Sequence, residues 1–487
     1  MRKMKENACN NKNQKKNPGF LLSAVSSNSG KTAAACGLMS AFKQTGKRVC
    51  ACKCGPDYID PMFHREVLSV DSKNLDLFFS EEVLKEEYLR HTKDADITIT
   101  EGVMGFYDGM SLDSVKGSSY DVARTLGLPV ILVINARGAA MTLAAMVKGI
   151  VEFRPDSNIR GILLNRVSAM LYPRLKEMLE NELARIGHDE IKIVGYMPEN
   201  EAFHLESRHL GLVTPQEMEN LQEKVRQAGE ILAKTVDLEL LEKIAGEAAV
   251  WKAEVSEESE KIGSLKSLNY PVRIAVARDE AFCFYYKDNL ELLESLGCEV
   301  IEFSPLHDKK LPENVKGILL GGGYPELYGK ELAENQSMLE SIRRALDDKI
   351  PCLAECGGFM YLHEEMEDAD GNVWKLVGRI HGKTFPTGKL VRFGYVNLQV
   401  NSLGMGSERE AEGWFLPGEN IRAHEFHYWD STDSGSDCLA VKPDGKRKWE
   451  CIHMEENLVA GYPHLYYPSC KEFAERFVEK CRSGYRE

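Results

Sequence analysis

The 487-residue chain has no long hydrophobic run, since no stretch approaches the roughly 18 apolar residues that a membrane-spanning helix needs. Asp and Glu outnumber Lys and Arg by 75 to 61, which gives a formal net charge of −14. This balance argues against nucleic acid or an anionic membrane surface as the main partner. Residues 1–18 are rich in Asn and Lys and lack the apolar segment of a signal peptide, so we expect a disordered tail.

The thirteen cysteines show no pairing framework, because their number is odd and their spacing is irregular. They are expected to be reduced thiols, as in a cytoplasmic protein. Cys50, Cys52 and Cys54 would share one face of a strand, but no second Cys/His cluster accompanies them. We therefore interpret them as small buried side chains rather than metal ligands.

A phosphate-binding loop is indicated by the run Ser-Asn-Ser-Gly-Lys-Thr at 27–32, which lies between an apolar stretch and a helical pattern. The backbone N–H groups of Asn28, Ser29, Gly30, Lys31 and Thr32 are expected to surround phosphate oxygens of ATP. Lys31 would reach the β- and γ-phosphates, and the Thr32 hydroxyl would hold Mg²⁺.

The loop departs from the pattern G-x-x-x-x-G-K-[ST] at its first glycine, where this chain has Val25. A β-branched residue does not tolerate the left-handed region, so its φ must be negative. We expect Val25 to end the preceding strand and to take no part in binding phosphate.

From residue 20 to about residue 236, short apolar runs alternate with longer helical patterns. Such alternation predicts an α/β domain with a parallel sheet covered by helices on both faces. The predicted strands are Phe20–Ser26, Arg48–Lys53, Ile97–Thr100, Pro129–Asn135, Ile159–Asn165 and Ile191–Gly195. The predicted helices are Gly37–Thr45, Ser80–His91, Tyr120–Leu126, Ala139–Phe153 and Tyr172–Ile186.

Polar side chains follow the carboxyl ends of these strands, where parallel sheets bind their ligands. Glu101 is a candidate Mg²⁺ ligand beside Thr32, and Asp57 is a second, although a role in an Asx turn also explains Asp57. Lys53 would neutralise charge on a phosphoryl group during transfer, and Asn165 would read the edge of a base. Their joint appearance after a phosphate-binding loop favours the functional interpretation.

Residues 237–271 are rich in Glu and Lys and show no strand pattern, so we expect a solvated helix or linker. This boundary separates a P-loop domain, 19–236, from a second α/β domain, 272–487. Strands predicted in the second domain are Val272–Ala277, Glu299–Phe303, Gly317–Leu320, Phe393–Val400 and Leu458–Tyr467, with helices at Phe284–Leu296 and Leu332–Asp347.

A nucleophile elbow is indicated by the run 351–361, in which a short apolar strand meets Cys356 in a Gly-rich turn before a helix. The helix N-terminus is expected to lower the pKa of the thiol, and Gly323 and Gly357 would donate N–H groups to an oxyanion. A cysteine nucleophile needs a base, and spacing alone leaves His424, His427 and His464 as alternatives.

At this point the chain resembles a known family, the cobyrinic acid a,c-diamide synthases of corrinoid biosynthesis. The resemblance covers nearly everything after residue 18. Its most specific stretches are Gly55–Pro61, Glu101–Gly105, Ser207–Leu212, Ala277–Phe282, Leu320–Leu327 and Glu355–Gly358. Departures from the family's pattern occur at Ala24, Val25, Asn28 and Asn135.

The resemblance implies an ATP domain like that of dethiobiotin synthetase followed by a class I glutamine amidotransferase domain of the triad type. It implies that Cys356 hydrolyses glutamine through a thioester and that His464 activates the thiol. The Glu that usually follows the His by two residues is Tyr466 here, so a catalytic dyad is implied. Ammonia would pass to the first domain and displace phosphate from an ATP-activated carboxylate.

The resulting hypothesis is an ATP- and glutamine-dependent amidation of the a and c carboxylates of cobyrinic acid. Nickel sirohydrochlorin and hydrogenobyrinic acid are alternative substrates, because their a and c acetates resemble those of cobyrinic acid. A P-loop switch ATPase with an inactive amidotransferase module is a rival from another class. The expected partners are the tetrapyrrole, L-glutamine and ATP with Mg²⁺, without nucleic acid or membrane, and a homodimer is left open.

Overall fold

The computed structural model describes residues 14–15, 17–205, 215–252, 271–401, 413–416 and 418–483. The chain divides into two compact units, Met1–Val255 and Ser256–Glu487. Among the described residues, no helix combines the length and apolar character that crossing a membrane requires. The motif Ser207–Leu212 and most of the predicted tail lie outside the described residues.

The first unit alternates strands and helices along the chain. Its strands are β1 (Gln14–Lys15), β2 (Gly19–Ala24), β3 (Val49–Cys54), β4 (Asp71–Leu75), β5 (Ile97–Glu101), β6 (Val130–Asn135), β7 (Ile159–Asn165), β8 (Lys192–Met197) and β9 (Trp251–Lys252). Its helices are α1 (Lys31–Gln44), α2 (Ile59–Glu66), α3 (Leu77–Ser80), α4 (Leu84–His91), α5 (Ser119–Leu126), α6 (Met141–Phe153), α7 (Tyr172–Arg185), α8 (Pro215–Thr235) and α9 (Leu238–Ala245).

Seven of these strands form one parallel sheet in the order β4-β3-β5-β2-β6-β7-β8. Strand β2 is central and fully buried, because apolar residues occupy both of its faces. Leu22 on β2 and Lys53 on β3 both pair with Glu101 of β5, so three strand ends meet at one edge of the sheet. The predicted parallel α/β sheet is confirmed, and this edge carries the phosphate-binding loop.

The structure adds an edge strand, β4, that the sequence did not predict. Its residues Asp-Ser-Lys-Asn-Leu are mostly polar and give no apolar run. Even so, Ser72, Lys73 and Asn74 are buried, and the Asn74 amide donates hydrogen bonds to the carbonyls of Gly55 and Asp57. Tertiary contacts therefore define this strand, and they also support the loop that follows β3.

The expected linker, 237–271, is partly a structured element of the first unit. Helix α9 is capped by Asp237 and buries Leu241, Ile244 and Ala245 against the sheet. The end of the expected disordered tail is also structured. Strand β1 pairs with β9, and the buried Asn17 amide donates a 2.7 Å hydrogen bond to Thr92 Oγ1. In both segments the burial of a few apolar or hydrogen-bonded side chains produces ordered structure, although the polar local composition predicted a linker or a disordered tail.

The second unit contains the remaining strands and helices. Its strands are β10 (Val272–Ala277), β11 (Phe282–Phe284), β12 (Cys298–Phe303), β13 (Gly317–Leu320), β14 (Gly322–Gly323), β15 (Cys352–Glu355), β16 (His363–Glu367), β17 (Val373–Lys375), β18 (Ile380–Pro386), β19 (Arg392–Val400), β20 (Asn420–His427), β21 (Trp429–Ser431), β22 (Cys438–Val441), β23 (Lys448–Cys451), β24 (His453–Glu455), β25 (Leu458–Gly461) and β26 (His464–Leu465). Its helices are α10 (Lys287–Ser295), α11 (Gly329–Glu334), α12 (Gln336–Asp347), α13 (Gly357–Tyr361) and α14 (Lys471–Ser483).

A six-stranded sheet in the order β12-β10-β13-β15-β25-β24 forms the centre of the second unit, with only β24 antiparallel. An antiparallel sheet, β23-β22-β19-β20-β26, lies within the same unit. The single strand predicted at Leu458–Tyr467 is in fact two, β25 and β26, which belong to different sheets. The chain changes sheet at Tyr462 and Pro463, and this change brings His464 beside β20.

Candidate active sites of the two units

The phosphate-binding loop has the conformation that its sequence requires. Gly30 precedes α1 with φ 94°, and Asn28 has φ 61°. Asparagine is one of the few non-glycine residues that tolerate this left-handed region, which explains how Asn28 adopts it without being a glycine. Val25 follows the last residue of β2 and is not among the residues with positive φ, so its position after the strand and its negative φ are confirmed, and its absence from phosphate binding stays a prediction.

Asn165 supports this loop directly. Its amide Nδ2 donates a 2.9 Å hydrogen bond to the carbonyl oxygen of Ser29. A Cβ added at Gly30 would lie 2.3 Å from the same Nδ2, so only glycine allows the two to approach. The contact ties the end of β7 to the loop, and reading a base edge stays a prediction for Asn165.

The Lys31 side chain folds against backbone carbonyl groups. Its ammonium donates hydrogen bonds to the carbonyl oxygens of Ser26, at 3.2 Å, and of Met104. Burial, together with repulsion from Lys53, lowers the pKa of Lys31 to about 8. A polyanion such as triphosphate would favour the charged form of this lysine and compete for its hydrogen bonds.

Lys53 and Glu101 meet at the buried edge of the sheet. Lys53 Nζ donates to Oε1 of Glu101 at 3.1 Å, and the Thr32 hydroxyl donates to the same oxygen at 2.7 Å. Burial alone would raise the pKa of Glu101, but Lys53 and hydrogen bonds from His64 and Thr32 hold it well below its usual value. The structure thus brings together the three residues that the sequence placed on separate elements.

A carboxylate that sequence reasoning missed, Asp60, completes this cluster. Asp60 Oδ2 lies 2.5 Å from Lys53 Nζ, whereas Asp57 Oδ2 lies 4.0 Å away. Asp57 instead accepts a 2.9 Å hydrogen bond from the backbone N–H of Ile59, which is the turn role considered as the alternative. Asp60 stands in the same motif, but only the first turn of α2 directs it inward.

The residues at this edge fit Mg²⁺. Among the described residues, no group of three His, Cys, Asp or Glu side chains is arranged as a metal site on its own. The Thr32 hydroxyl and the Glu101 carboxylate, however, offer adjacent oxygen ligands. The Asp60 carboxylate, which is paired with Lys53, offers a third oxygen ligand nearby. Mg²⁺ typically binds one or two carboxylates and completes its coordination with water and substrate phosphates. The three thiols at 50, 52 and 54 are buried, as the sequence predicted.

In the second unit, Cys356 lies at a sharp turn between β15 and α13. Its backbone has φ 48° and ψ −102°, and its N–H donates a 2.8 Å hydrogen bond to the carbonyl of Gly461. A Cβ at Gly358 would lie 2.2 Å from the carbonyl oxygen of Leu320, so a side chain there would collide with β13. The strand–turn–helix geometry predicted for this motif is therefore present.

The lowered pKa that the sequence predicted for the Cys356 thiol is not found in the structure. Burial and the neighbouring Glu326 raise its pKa, and the N–H of Gly357 offsets this only in part. The helix that follows, α13, has only five residues and contributes a weak dipole. The thiol is neutral in the free protein, so it depends on a base to lose its proton.

Gly323 and Gly357, the candidate oxyanion donors, are neighbours across the turn. A Cβ added at Gly357 would lie 3.1 Å from the backbone nitrogen of Gly323. The Gly323 backbone is itself held by pairing with Phe282 on β11. Protein atoms fill the positions that side chains would take at both glycines, since a Cβ added at Gly323 would lie 2.0 Å from the carbonyl oxygen of Ala281. The oxyanion role stays a prediction.

The three candidate histidines differ in their surroundings. His464 packs its ring against Gly322, since a Cβ there would lie 2.3 Å from His464 Cε1. His427 is stacked on Tyr462 with ring centroids 3.9 Å apart, and its two nitrogens contact the Trp429 carbonyl at 2.6 Å and Glu425 at 3.1 Å. His424 pairs with His464 across strands β20 and β26.

His464 is buried, and its surroundings favour the uncharged imidazole. Burial, with smaller contributions from His424 and His427, lowers its pKa to about 3. It is therefore neutral near pH 7 and has an imidazole nitrogen able to accept a proton. Both nitrogens of His427 contact protein groups, the Trp429 carbonyl and the Glu425 carboxylate, and the role of His464 as the base stays a prediction.

Comparisons with known proteins agree with this two-part arrangement. Residues 21–213 match the family described as CobQ/CobB/MinD/ParA nucleotide binding domain, and residues 273–470 match the CobB/CobQ-like glutamine amidotransferase domain. The chain is 37% identical over 472 residues to the cobyrinate a,c-diamide synthase of Caldanaerobacter subterraneus subsp. tengcongensis, covering 96% of this chain and 99% of that relative. It is 39% identical over 470 residues to the enzyme of that name from Clostridium tetani, covering 95% and 99% of the two chains. The corresponding values for Fusobacterium nucleatum subsp. nucleatum are 40% identity over 467 residues, covering 94% and 99%.

Proposed function

Because the chain belongs to the family of cobyrinate a,c-diamide synthases, we propose that it amidates the a and c carboxylates of cobyrinic acid, using ATP and glutamine. The observation that carries the proposal is that one chain contains two candidate active sites, one in each unit. The first unit has a P-loop with a buried lysine–carboxylate cluster, and the second has a cysteine elbow with a neutral histidine.

In the second unit, Cys356 would attack the side-chain amide of glutamine after His464 takes the thiol proton. The N–H groups of Gly323 and Gly357 would donate to the oxyanion that forms on the amide carbon. His464 would then give its proton to the departing ammonia, which leaves a thioester. Water hydrolyses the thioester to glutamate and restores the thiol.

In the first unit, the N–H groups of Asn28 to Thr32 and the Lys31 ammonium would bind the phosphates of ATP. Lys53 would neutralise charge on the phosphoryl group as it moves to a substrate carboxylate. Ammonia then displaces phosphate from the acyl phosphate and forms the amide. Burial lowers the pKa of Lys53, but attraction to Asp60, Glu101 and Asp57 outweighs it and holds the pKa well above its ordinary value, so Lys53 stays charged for this role.

Mg²⁺ would be held by Thr32 and Glu101, with Asp60 as the third protein oxygen in place of Asp57. The ion would supply positive charge against the β- and γ-phosphates. Asp60 is preferred because it is buried beside Lys53, whereas the Asp57 side chain is 34% exposed and caps a turn.

The rival function, a P-loop switch with an inactive amidotransferase module, is disfavoured by the elbow. A binding module has no use for a cysteine with φ 48° in a turn that only glycine neighbours allow. The deciding experiment offers cobyrinic acid, hydrogenobyrinic acid and nickel sirohydrochlorin to the protein with ATP, Mg²⁺ and glutamine. Two mass decreases of about one unit each, from carboxyl to amide, are expected for cobyrinic acid, and ATP turnover without any amidated product would favour the rival. Sedimentation of the purified protein would test the homodimer.

A further inference from the structure

A second carboxylate that sequence reasoning passed over, Glu355, lies beside the candidate base. It ends strand β15 immediately before Cys356, and its Oε2 is 3.9 Å from Nδ1 of His464. Its other oxygen, Oε1, accepts a 3.0 Å hydrogen bond from the Tyr467 hydroxyl. Glu355 therefore joins the nucleophile's strand to the segment that carries the histidine.

The position two residues after His464 has no acid. Tyr466 stands there, buried, with its ring edge-to-face against Tyr286 at 5.8 Å between centroids. A base that must become charged during the reaction benefits from a carboxylate at its second nitrogen. Glu355 offers one from a different strand, within a short side-chain adjustment of hydrogen-bond distance.

We propose that Glu355 is the positioning residue of His464 in glutamine hydrolysis, in the place that Tyr466 leaves without an acid. The inference rests on the proposed function of the second unit. Ionised Glu355 would accept the Nδ1–H of His464, which leaves Nε2 to take the proton of the Cys356 thiol. It would then stabilise the imidazolium until that proton passes to the departing ammonia.

The carboxyl group must be ionised for this role, which gives the proposal a pH signature. Burial raises the pKa of Glu355 to about 8, so its ionised fraction grows as the pH rises from 7 to 9. Glutamine hydrolysis should rise over the same range. The other titratable groups that face the pair are His424, His427, Cys356, Tyr285 and Tyr467.

The test measures glutamine hydrolysis by the full chain and its variants at pH 6 to 9. Glu355→Gln should lower kcat by about 10²-fold with KM within about threefold, the scale of losing support for a general base. Its profile should lack the rise near pH 8. Glu355→Asp should recover part of the kcat, and Tyr467→Phe should lower it less while keeping the shape of the profile.

Two further measurements separate this role from simple loss of structure. Modification of Cys356 by 6-diazo-5-oxo-L-norleucine, followed by intact mass, should slow in parallel with kcat in Glu355→Gln. Amidation driven by ammonium should be unchanged in that variant. Glu302→Gln, on the edge strand β12 of the same sheet and with a 58% exposed side chain, is the matched control and should behave as the unmodified protein.

A Glu355→Gln variant with kcat within twofold of the unmodified protein would overturn the inference. A lower kcat with an unchanged pH profile would also overturn it, because a structural role predicts that result. Cys356→Ala distinguishes the two levels of the argument. If Cys356→Ala still hydrolyses glutamine, the proposed function fails; if it is inactive while Glu355→Gln is fully active, only the role of Glu355 fails.

Discussion

The Thr32 hydroxyl donates a 2.7 Å hydrogen bond to Oε1 of Glu101, which joins the first turn of α1 to the end of β5. Both groups are oxygen ligands that suit Mg²⁺. Glu101→Gln removes one negative charge while keeping the shape of the side chain. We expect amidation to fall about 10²-fold with either glutamine or ammonium, and to recover partly at high Mg²⁺.

Glu86→Gln is the control for this substitution, because Glu86 is a 41% exposed partner of Arg90 on α4. It should leave amidation unchanged. Glutamine hydrolysis should persist at least in part in Glu101→Gln. Full amidation by Glu101→Gln at low Mg²⁺ would contradict the assignment of Glu101 to the metal.

Lys31→Ala should abolish amidation with ammonium as well as with glutamine. The reason is that the ammonium group, now hydrogen-bonded to the carbonyls of Ser26 and Met104, would be the loop's own cation for the phosphates. Lys176→Ala, an exposed lysine on α7, is the matched control. If Lys31→Ala retained ammonium-dependent amidation, the loop would not be the site of ATP chemistry.

Cys356→Ser should abolish amidation supported by glutamine but leave the activity with high ammonium. In the proposed reaction the thiol is needed only to release ammonia, while the carboxylate is activated at the P-loop of the first unit. The measurement is amide formation at saturating glutamine and, separately, at high ammonium. Loss of both activities would show that the two units do not divide the reaction as proposed.

His464→Ala should lower glutamine hydrolysis by about 10²-fold or more, the usual scale for a general base. His427→Ala should lower it less, because both nitrogens of His427 are bound to Trp429 and Glu425. His424→Ala should also have the smaller effect. Full activity in His464→Ala would transfer the role of base to one of the other two.

Asn165→Ala distinguishes support of the loop from recognition of the base. The structure shows the Asn165 amide donating to the Ser29 carbonyl, so its loss should raise KM for ATP and for GTP by similar factors. We expect a change of about tenfold, as for a hydrogen bond lost from a positioned binding loop. A changed ratio of ATP to GTP use, with ATP binding intact, would instead favour base reading.

Much of the fold follows from local patterns. The parallel sheet was readable because its central strands are continuous apolar runs between helical segments, and β7, Ile159–Asn165, is as predicted. Strand β4 was not readable, because its polar side chains are buried only through partners such as the carbonyls of Gly55 and Asp57. Helix α9 was hidden by its charged residues, although its apolar face packs on the sheet.

The site residues also fall into two groups, those that local sequence motifs predict and those that only tertiary contacts identify. Lys31, Thr32 and Cys356 stand in motifs whose spacing is itself the signal, since a phosphate loop and a nucleophile elbow are made by consecutive residues. Asp60 and Glu355 gave no comparable signal. Each is a carboxylate in a motif in which another residue was assigned the functional role. That residue was Asp57 in the motif of Asp60 and Cys356 in the motif of Glu355.

The sequence by itself determined the two kinds of chemistry in this protein, because the residues of each loop are adjacent in the chain. Only the tertiary structure decided which acid lies closest to Lys53, that burial raises the pKa of the Cys356 thiol, and which carboxylate lies beside His464. These properties depend on burial and on contacts between strands distant in the chain. Desolvation and charge–charge distances set them, and neither quantity is fixed by residue spacing.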